Sequence, residues 1–275
     1  MKSSKEYRKI AGESLAGNYG VVIGAYILCT IALNILTAPL SIISGIGNLT
    51  GMIVASGIIT IPVSLVISIV STLFYTGVDK MVFDVTRGER ADFSNLFYCF
   101  THDPATVVFA FLWIFLYLLP GLIAILTGSA IFAVLAVFSK HTGALIAGVI
   151  ILLITTVFYI VWTIVVGLSV SMTYFLYFDN PGMKSGDLVK SSFRMMKGNK
   201  FRLFRLYLSY AGFFLLGILS CGLAFLWINP NITAAAAYFY RDICASSGNP
   251  SGISQGAAAE PGRSENTYYQ QDYWN

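Results

Sequence analysis

Sixteen of the seventeen lysine and arginine residues of this chain lie in four short segments, and the long apolar runs between them carry no charge except Lys140. The basic segments are the N-terminus, Lys80–Arg90, Lys184–Arg205 and the stretch after Tyr240. A helix needs about 20 apolar residues to cross roughly 30 Å of hydrocarbon, and runs of that length recur here. Only 11% of the residues are charged, against about 25% in soluble domains. The pattern predicts an all-α, polytopic membrane protein and excludes an ordinary soluble fold.

Six transmembrane helices in three hairpins are expected, near residues 19–38, 52–76, 105–126, 146–178, 203–219 and 223–240. They form a membrane domain over 19–243. Residues 1–18 precede it as an amphipathic helix, with Ser3 and Glu6 at capping-box spacing. Tyr7, Ile10, Ala11 and Leu15 share a face of that helix, which suits it to the headgroup plane. Gly17–Asn18 breaks it, and Pro39 is expected to end the first span. The runs 105–138 and 144–178 are long enough for two tilted helices or four short ones, with Pro120–Gly121 offering a turn, so eight spans stay open as an alternative. A turn is expected near Ser220–Gly222. Residues 244–275, rich in Gly, Ser, Asn and Gln, read as a disordered cytoplasmic tail.

Loop charge sets the orientation. Under the positive-inside rule, the four basic segments place both termini in the cytoplasm of a multi-pass plasma-membrane protein. The net charge of +4 then faces anionic headgroups, which are the expected partner together with a membrane protein; nucleic acid is not. Cys29, Cys99, Cys221 and Cys244 have no metal-binding or redox spacing.

A faint internal repeat accompanies this layout. A basic segment followed by a helical hairpin starts near Lys2, Asp79 and Asp179. Two copies share a Gly-Asn break, at Gly17–Asn18 and Gly198–Asn199. Two leave the bilayer through Phe-Asp, at Phe83–Asp84 and Phe178–Asp179.

Chemistry at depth in a membrane usually needs a buried charge, which costs about 2.5–3.5 kcal/mol on insertion scales. All thirteen acidic residues fall in segments read as cytoplasmic, which disfavours ion-coupled transport. Uncharged polar residues do recur at helical spacing: Tyr26, Thr30, Asn34 and Thr37; Thr60, Ser64, Ser68 and Ser71; Thr156, Tyr159 and Thr163. They read either as the lining of a polar cleft or as hydrogen-bonding glue between helices. The segment 183–205 reads as a surface helix with Leu188, Ser192, Met195 and Met196 inward. Lys184, Lys190, Arg194, Lys197, Lys200 and Arg202 then present a basic surface to lipid or a partner. His102 and His141, the only histidines, fall on opposite sides, so no hydrolytic triad or zinc motif forms. No cofactor or metal ligand set is recognised. Asp84, Glu89, Asp92, His102 and Asp103 share one loop and read as solvated charges at helix ends.

Several short motifs in fixed order carry a family resemblance: Ser3–Glu6, Glu13–Gly20, Arg87-Gly-Glu with Phe93–Phe97, Asp179–Pro181, Met196–Phe204 and Phe239–Asp242. Together they resemble a family of bacterial integral membrane proteins, the domain-of-unknown-function 975 group. The stretch behind Leu119–Gly121 is longer here than in the family pattern. The resemblance implies a bacterial membrane location and no catalytic residues. The family is distantly similar to the membrane region of some glycerophosphodiester phosphodiesterases, which points the ligand towards lipid. The expected function is a non-enzymatic membrane protein that binds or organises lipid or a partner. The alternative is an uncoupled or partner-driven transporter of a small amphipathic substrate.

Overall fold

Local signals fix where the first helix begins and stops. The Ser3 backbone N–H donates to Glu6 Oε2 at 2.6 Å while the Glu6 N–H donates to Ser3 Oγ at 3.4 Å, so a reciprocal cap opens helix α1 (Ser4–Leu15). Gly17 then takes φ +88°, a left-handed conformation that costs glycine nothing, and the chain turns into α2. The second Gly-Asn break behaves the same way: Gly198 takes φ +86° ahead of another helix.

The computed structural model describes residues 2–49, 53–138 and 142–246. Among these residues all regular structure is helical. After α1 come α2 (Tyr19–Leu49) and α3 (Ile53–Thr86), then a 3-10 turn at Phe93–Phe97 leading into the short α4 (Tyr98–Thr101). Helices α5 (Pro104–Phe138) and α6 (Thr142–Val170) follow. The chain then packs into shorter pieces: α7 (Thr173–Asp179), α8 (Ser185–Met195), α9 (Lys200–Leu208), α10 (Ala211–Leu219) and α11 (Phe225–Ser246).

The helices run longer than the apolar pattern indicates. Pro39 does not end α2, and Pro62 and Pro120 also lie inside their helices. In hydrocarbon no water satisfies a freed backbone group, so a helix is continued past proline rather than abandoned. Around Pro39, the Thr37 hydroxyl donates back to Asn34 O at 3.2 Å. Around Pro120, Trp162 Nε1 of α6 donates to Tyr117 O at 3.0 Å. The run 105–138 is therefore one helix, not two, and extends well past residue 126. Helix α3 continues ten residues past 76 and carries Asp79 and Asp84 into the helical body. Lys140, His141 and the tail beyond Ser246 lie outside the described residues.

Two long hairpins, α2–α3 and α5–α6, project with largely exposed apolar surfaces. The α5–α6 pair closes tightly, since a Cβ placed on Gly128 would fall 2.2 Å from Thr155 Oγ1. Near one end of these hairpins lies the main core, built from α1, the last turns of α3, α7, α8, α9 and α11. The Tyr7, Ala11 and Leu15 face of α1 is fully covered there, packed along α11 rather than left to headgroups; Tyr7 meets Phe239 edge-on at 5.8 Å. Helix α11 brings Ala234–Ala237, all buried, and such small residues let helices approach closely.

Two expected spans are interrupted. The run 146–178 breaks after Val170, and Ser192 of α8 closes the gap: its hydroxyl donates to Ser169 O at 2.7 Å and accepts from Met172 N at 3.3 Å. The run 203–219 breaks at Ser209–Tyr210, between α9 and α10. Among the described residues five stretches are long and apolar enough to cross a membrane: Tyr19–Ile46, Gly57–Thr86, Pro104–Phe138, Gly143–Asp179 and Lys200–Leu219. The expected span at 223–240 is not one of them. It falls in α11, which carries Asn229, Asn231, Arg241 and Asp242 and lies largely in the core.

Candidate functional site

The surface helix α8 is held rigidly from beneath. Leu188, Val189, Ser192 and Met196 are each at most 1% exposed, while Met195 is only half-buried. Lys190 and Arg194 on the outer side of α8, with Lys184 and Lys197 at its two ends, are exposed as a basic ledge that also carries the exposed Asp187. Lys200 and Arg202 belong less to that surface. Lys200 Nζ lies 5.9 Å from the Phe193 ring. The Arg202 guanidinium lies 5.5 Å from Phe239 and donates to Asn199 Oδ1 at 3.1 Å. Both cations are half-buried and help hold α9 to the core.

The polar stripes do not converge on one cleft. Tyr26 is buried in the core, whereas Thr30 and Asn34 are exposed and bond their own helix, to Tyr26 O and Thr30 O at 2.7 Å each. Ser64 and Ser68 likewise donate to Ile61 O and Ser64 O at 2.8 Å. These bonds stay within each helix, so they do not glue helices together. Ser64 and Ser68 do line a groove of about 620 Å³ between α2 and α3, with Thr37, Ser41, Ser44, Thr60 and Ser71. Behind it, Leu36, Pro39, Ile43, Ile59, Val63 and Val70 line an apolar groove of about 400 Å³ on the same pair. The α6 stripe lies elsewhere. Thr156 donates to Leu152 O at 2.7 Å, Tyr159 borders Gly121 of α5, and the buried Thr163 hydroxyl has no hydrogen-bond partner among the described residues.

A third feature escapes the sequence reading: a buried ionic junction. Asp84 is 2% exposed, pairs with Lys80 and accepts from Asn95 Nδ2 at 2.9 Å. The Asp179 side chain, 1% exposed, pairs with Arg87 and accepts from the Tyr240 hydroxyl at 2.7 Å. Aromatic rings enclose both pairs. Lys80 Nζ lies 5.2 Å from Tyr98, the Arg87 guanidinium lies 4.3 Å over Phe83, and Phe83 meets Phe178 at 5.6 Å. Asp84 is therefore no solvated helix-end charge. The signal was present in the repeated Phe-Asp dipeptides, whose rings, Phe83 and Phe178, meet at 5.6 Å with a 39° tilt.

Burial and hydrogen bonding shift the titration of groups at and near the junction. Burial, with Asp179 alongside, pushes the Tyr240 phenol well above its ordinary range. Burial also pushes the Cys99 thiol up to about 12. Asp92 is pulled the other way by hydrogen bonds from the Ser94 hydroxyl and backbone. Among the described residues no group of three His, Cys, Asp or Glu side chains is placed to hold a metal ion.

No curated protein and no solved structure matches the chain at a significant level. The family model described as "Protein of unknown function (DUF975)" matches residues 1–247. That match spans every helix described above, and the chain belongs to this family.

Proposed function

We propose that this protein is a non-enzymatic multi-pass protein of a bacterial plasma membrane that gathers anionic lipid headgroups on its basic ledge. Both termini lie in the cytoplasm, the side on which that ledge would meet anionic lipid. The observation that carries the reading is the rigid division of α8: a face at most 1% exposed against the core, with two exposed cations on its outer side and two at its ends. Each cation near an anionic surface is worth about 1 kcal/mol, and a fixed backbone removes the ordering cost of presenting them together. An acidic membrane protein that binds the same ledge is the second occupant this chemistry accepts.

Native mass spectrometry of the chain extracted with phosphatidylglycerol tests the reading. Retained anionic lipid is expected, and Lys190→Glu, Arg194→Glu and Lys197→Glu together should release it while the thermal midpoint holds. Unchanged retention in the triple variant overturns the proposal.

The groove between α2 and α3 favours a second reading, uncoupled or partner-driven movement of a small amphipathic substrate. Its serine and threonine hydroxyls offer polar contact on one side of the helix pair and its apolar residues receive a chain on the other. Ser64→Leu with Ser68→Leu should abolish flux without loss of protein, and persistent flux excludes this route.

A further inference from the structure

We propose that α10 and the first turns of α11 form a half-depth hairpin. It enters one leaflet, turns near the bilayer centre and leaves on the side it entered, with the acyl chains of that leaflet as its occupant. This goes beyond the lipid-headgroup reading of α8 and uses none of its residues.

Length makes the first argument. The stretch Lys200–Leu219 has the length of a span, but it is not one rod. Its first half, α9, buries Leu203 and Leu206 in the core and carries Lys200, Arg202 and Arg205. The chain breaks at Ser209–Tyr210, and that break is anchored from α1. Arg8 Nη1 donates to Ser209 O at 2.7 Å, and its guanidinium lies 5.4 Å from the Phe213 ring. Only the nine residues of α10 remain. At 1.5 Å per residue they reach about 14 Å, against roughly 30 Å of hydrocarbon.

Direction makes the second. Helix α11 runs alongside the last turns of α3 in the same sense: Thr233 bonds Asp79 at 3.3 Å, Tyr240 meets Phe83 at 6.2 Å, and Arg241 bonds Thr86 O at 2.8 Å. Moving back along α11 therefore follows α3 towards its membrane span. From Thr233 back to Phe225, where α11 starts, is eight residues, about 12 Å of rise. Each limb is therefore shorter than the roughly 30 Å of hydrocarbon.

The surface makes the third. Leu215, Ile218, Leu219 and Leu223 are 63–80% exposed, comparable with the exposed apolar residues of α2 and α3 such as Ile35 and Ile61. At the mouth, the Tyr210 hydroxyl donates to Asn231 O at 3.2 Å, and Tyr19 packs 6.4 Å from Trp227. Such amphipathic rings belong at the water–hydrocarbon boundary. At the tip, Cys221 and Gly222 take φ +52° and +93° and reverse the chain.

Cys221 is exposed while Cys29, Cys99 and Cys244 are buried, so the native chain carries its own probe. The full-length protein in phosphatidylethanolamine–phosphatidylglycerol vesicles is treated with a membrane-impermeant maleimide from outside, and separately from both sides after freeze–thaw; alkylation is located by peptide mass spectrometry. Lys5→Cys marks the side that carries α1. The hairpin predicts that Cys221 escapes the reagent from both sides and is alkylated only after the bilayer is dissolved in SDS. Labelling from the side opposite Lys5→Cys means a complete crossing, and labelling from the same side means a hairpin lying on the surface. Either result overturns the proposal.

Discussion

The Tyr7 hydroxyl donates to Asp242 Oδ2 at 2.6 Å and joins the first helix to the last across 235 residues of sequence. The Lys2 backbone N–H reaches the same carboxylate at 3.4 Å. Both ends of the described chain therefore lie on one face of the molecule. Burial and the Asp242 carboxylate hold the Tyr7 phenol above its ordinary range, so it remains a donor at any physiological pH.

Removing that donor alone should loosen α1. Tyr7→Phe keeps the ring against Phe239 and leaves Asp242 without its hydroxyl partner. Hydrogen bonds to charged groups contribute about 1.5–3 kcal/mol, and a loss in that range is expected in detergent unfolding. Faster proteolysis at Lys5–Lys9 should accompany it.

The junction at Asp179 should be far more sensitive to half-removal than to full removal. Arg87→Met strands a carboxylate that is 1% exposed, and breaking a buried pair in this way costs about 3–5 kcal/mol. Adding Asp179→Asn should recover part of that loss, because Tyr240 can still donate to the amide oxygen. A double-mutant cycle on thermal unfolding measures the recovery, and an additive double variant would exclude the pairing.

The α5–α6 hairpin should resist even one added methyl group. Gly128→Ala places a Cβ 2.2 Å from Thr155 Oγ1, and overpacking of this kind costs about 1–3 kcal/mol. Thr155→Ala in the same chain should restore part of the thermal midpoint, whereas Thr155→Ala alone should change it little.

The α1 cap should respond to pH in a defined direction. Hydrogen bonds from the Ser3 backbone and hydroxyl hold Glu6 below its ordinary carboxylate value. A group lowered in the folded state stabilises above its unfolded pKa, and that contribution disappears as pH falls through the folded one. Hydrogen exchange in α1 should therefore rise in acid, below the usual carboxylate range. Glu6→Gln should remove the part of that rise that Glu6 causes.

Much of this architecture is written in charge-free runs, because hydrocarbon tolerates few alternatives to apolar helices. The capping box at Ser3–Glu6 and the reversal at Ser220–Gly222 are legible for a similar reason: each is decided by its own few residues. What covers an apolar face is not local. Tyr7, Ala11 and Leu15 suit a headgroup plane as well as a protein surface, and only the alanines of α11 decide between them. Asp84 and Asp179 look solvated for the same reason: Lys80 lies one turn from Asp84, but Arg87 reaches Asp179 from just beyond α3, and Asn95, Tyr98, Phe178 and Tyr240 close over the pairs from distant parts of the chain. The stripes of α2, α3 and α6 share a period but not a destination, and periodicity carries no information on which helices become neighbours.

The Tyr7–Asp242 contact also sets an order of assembly. At a synthesis rate of about 5–20 residues per second, on the order of 10–50 s separates emergence of residue 7 from emergence of residue 242. Throughout that interval the ribosome has not yet made the surface that finally buries α1. Until then α3 is on hand but the principal partner is not, so α11 is the final seat of the first helix. Docking of the first helix closes the fold, and a truncated product would be left with a greasy, uncovered N-terminus for quality-control proteases to find.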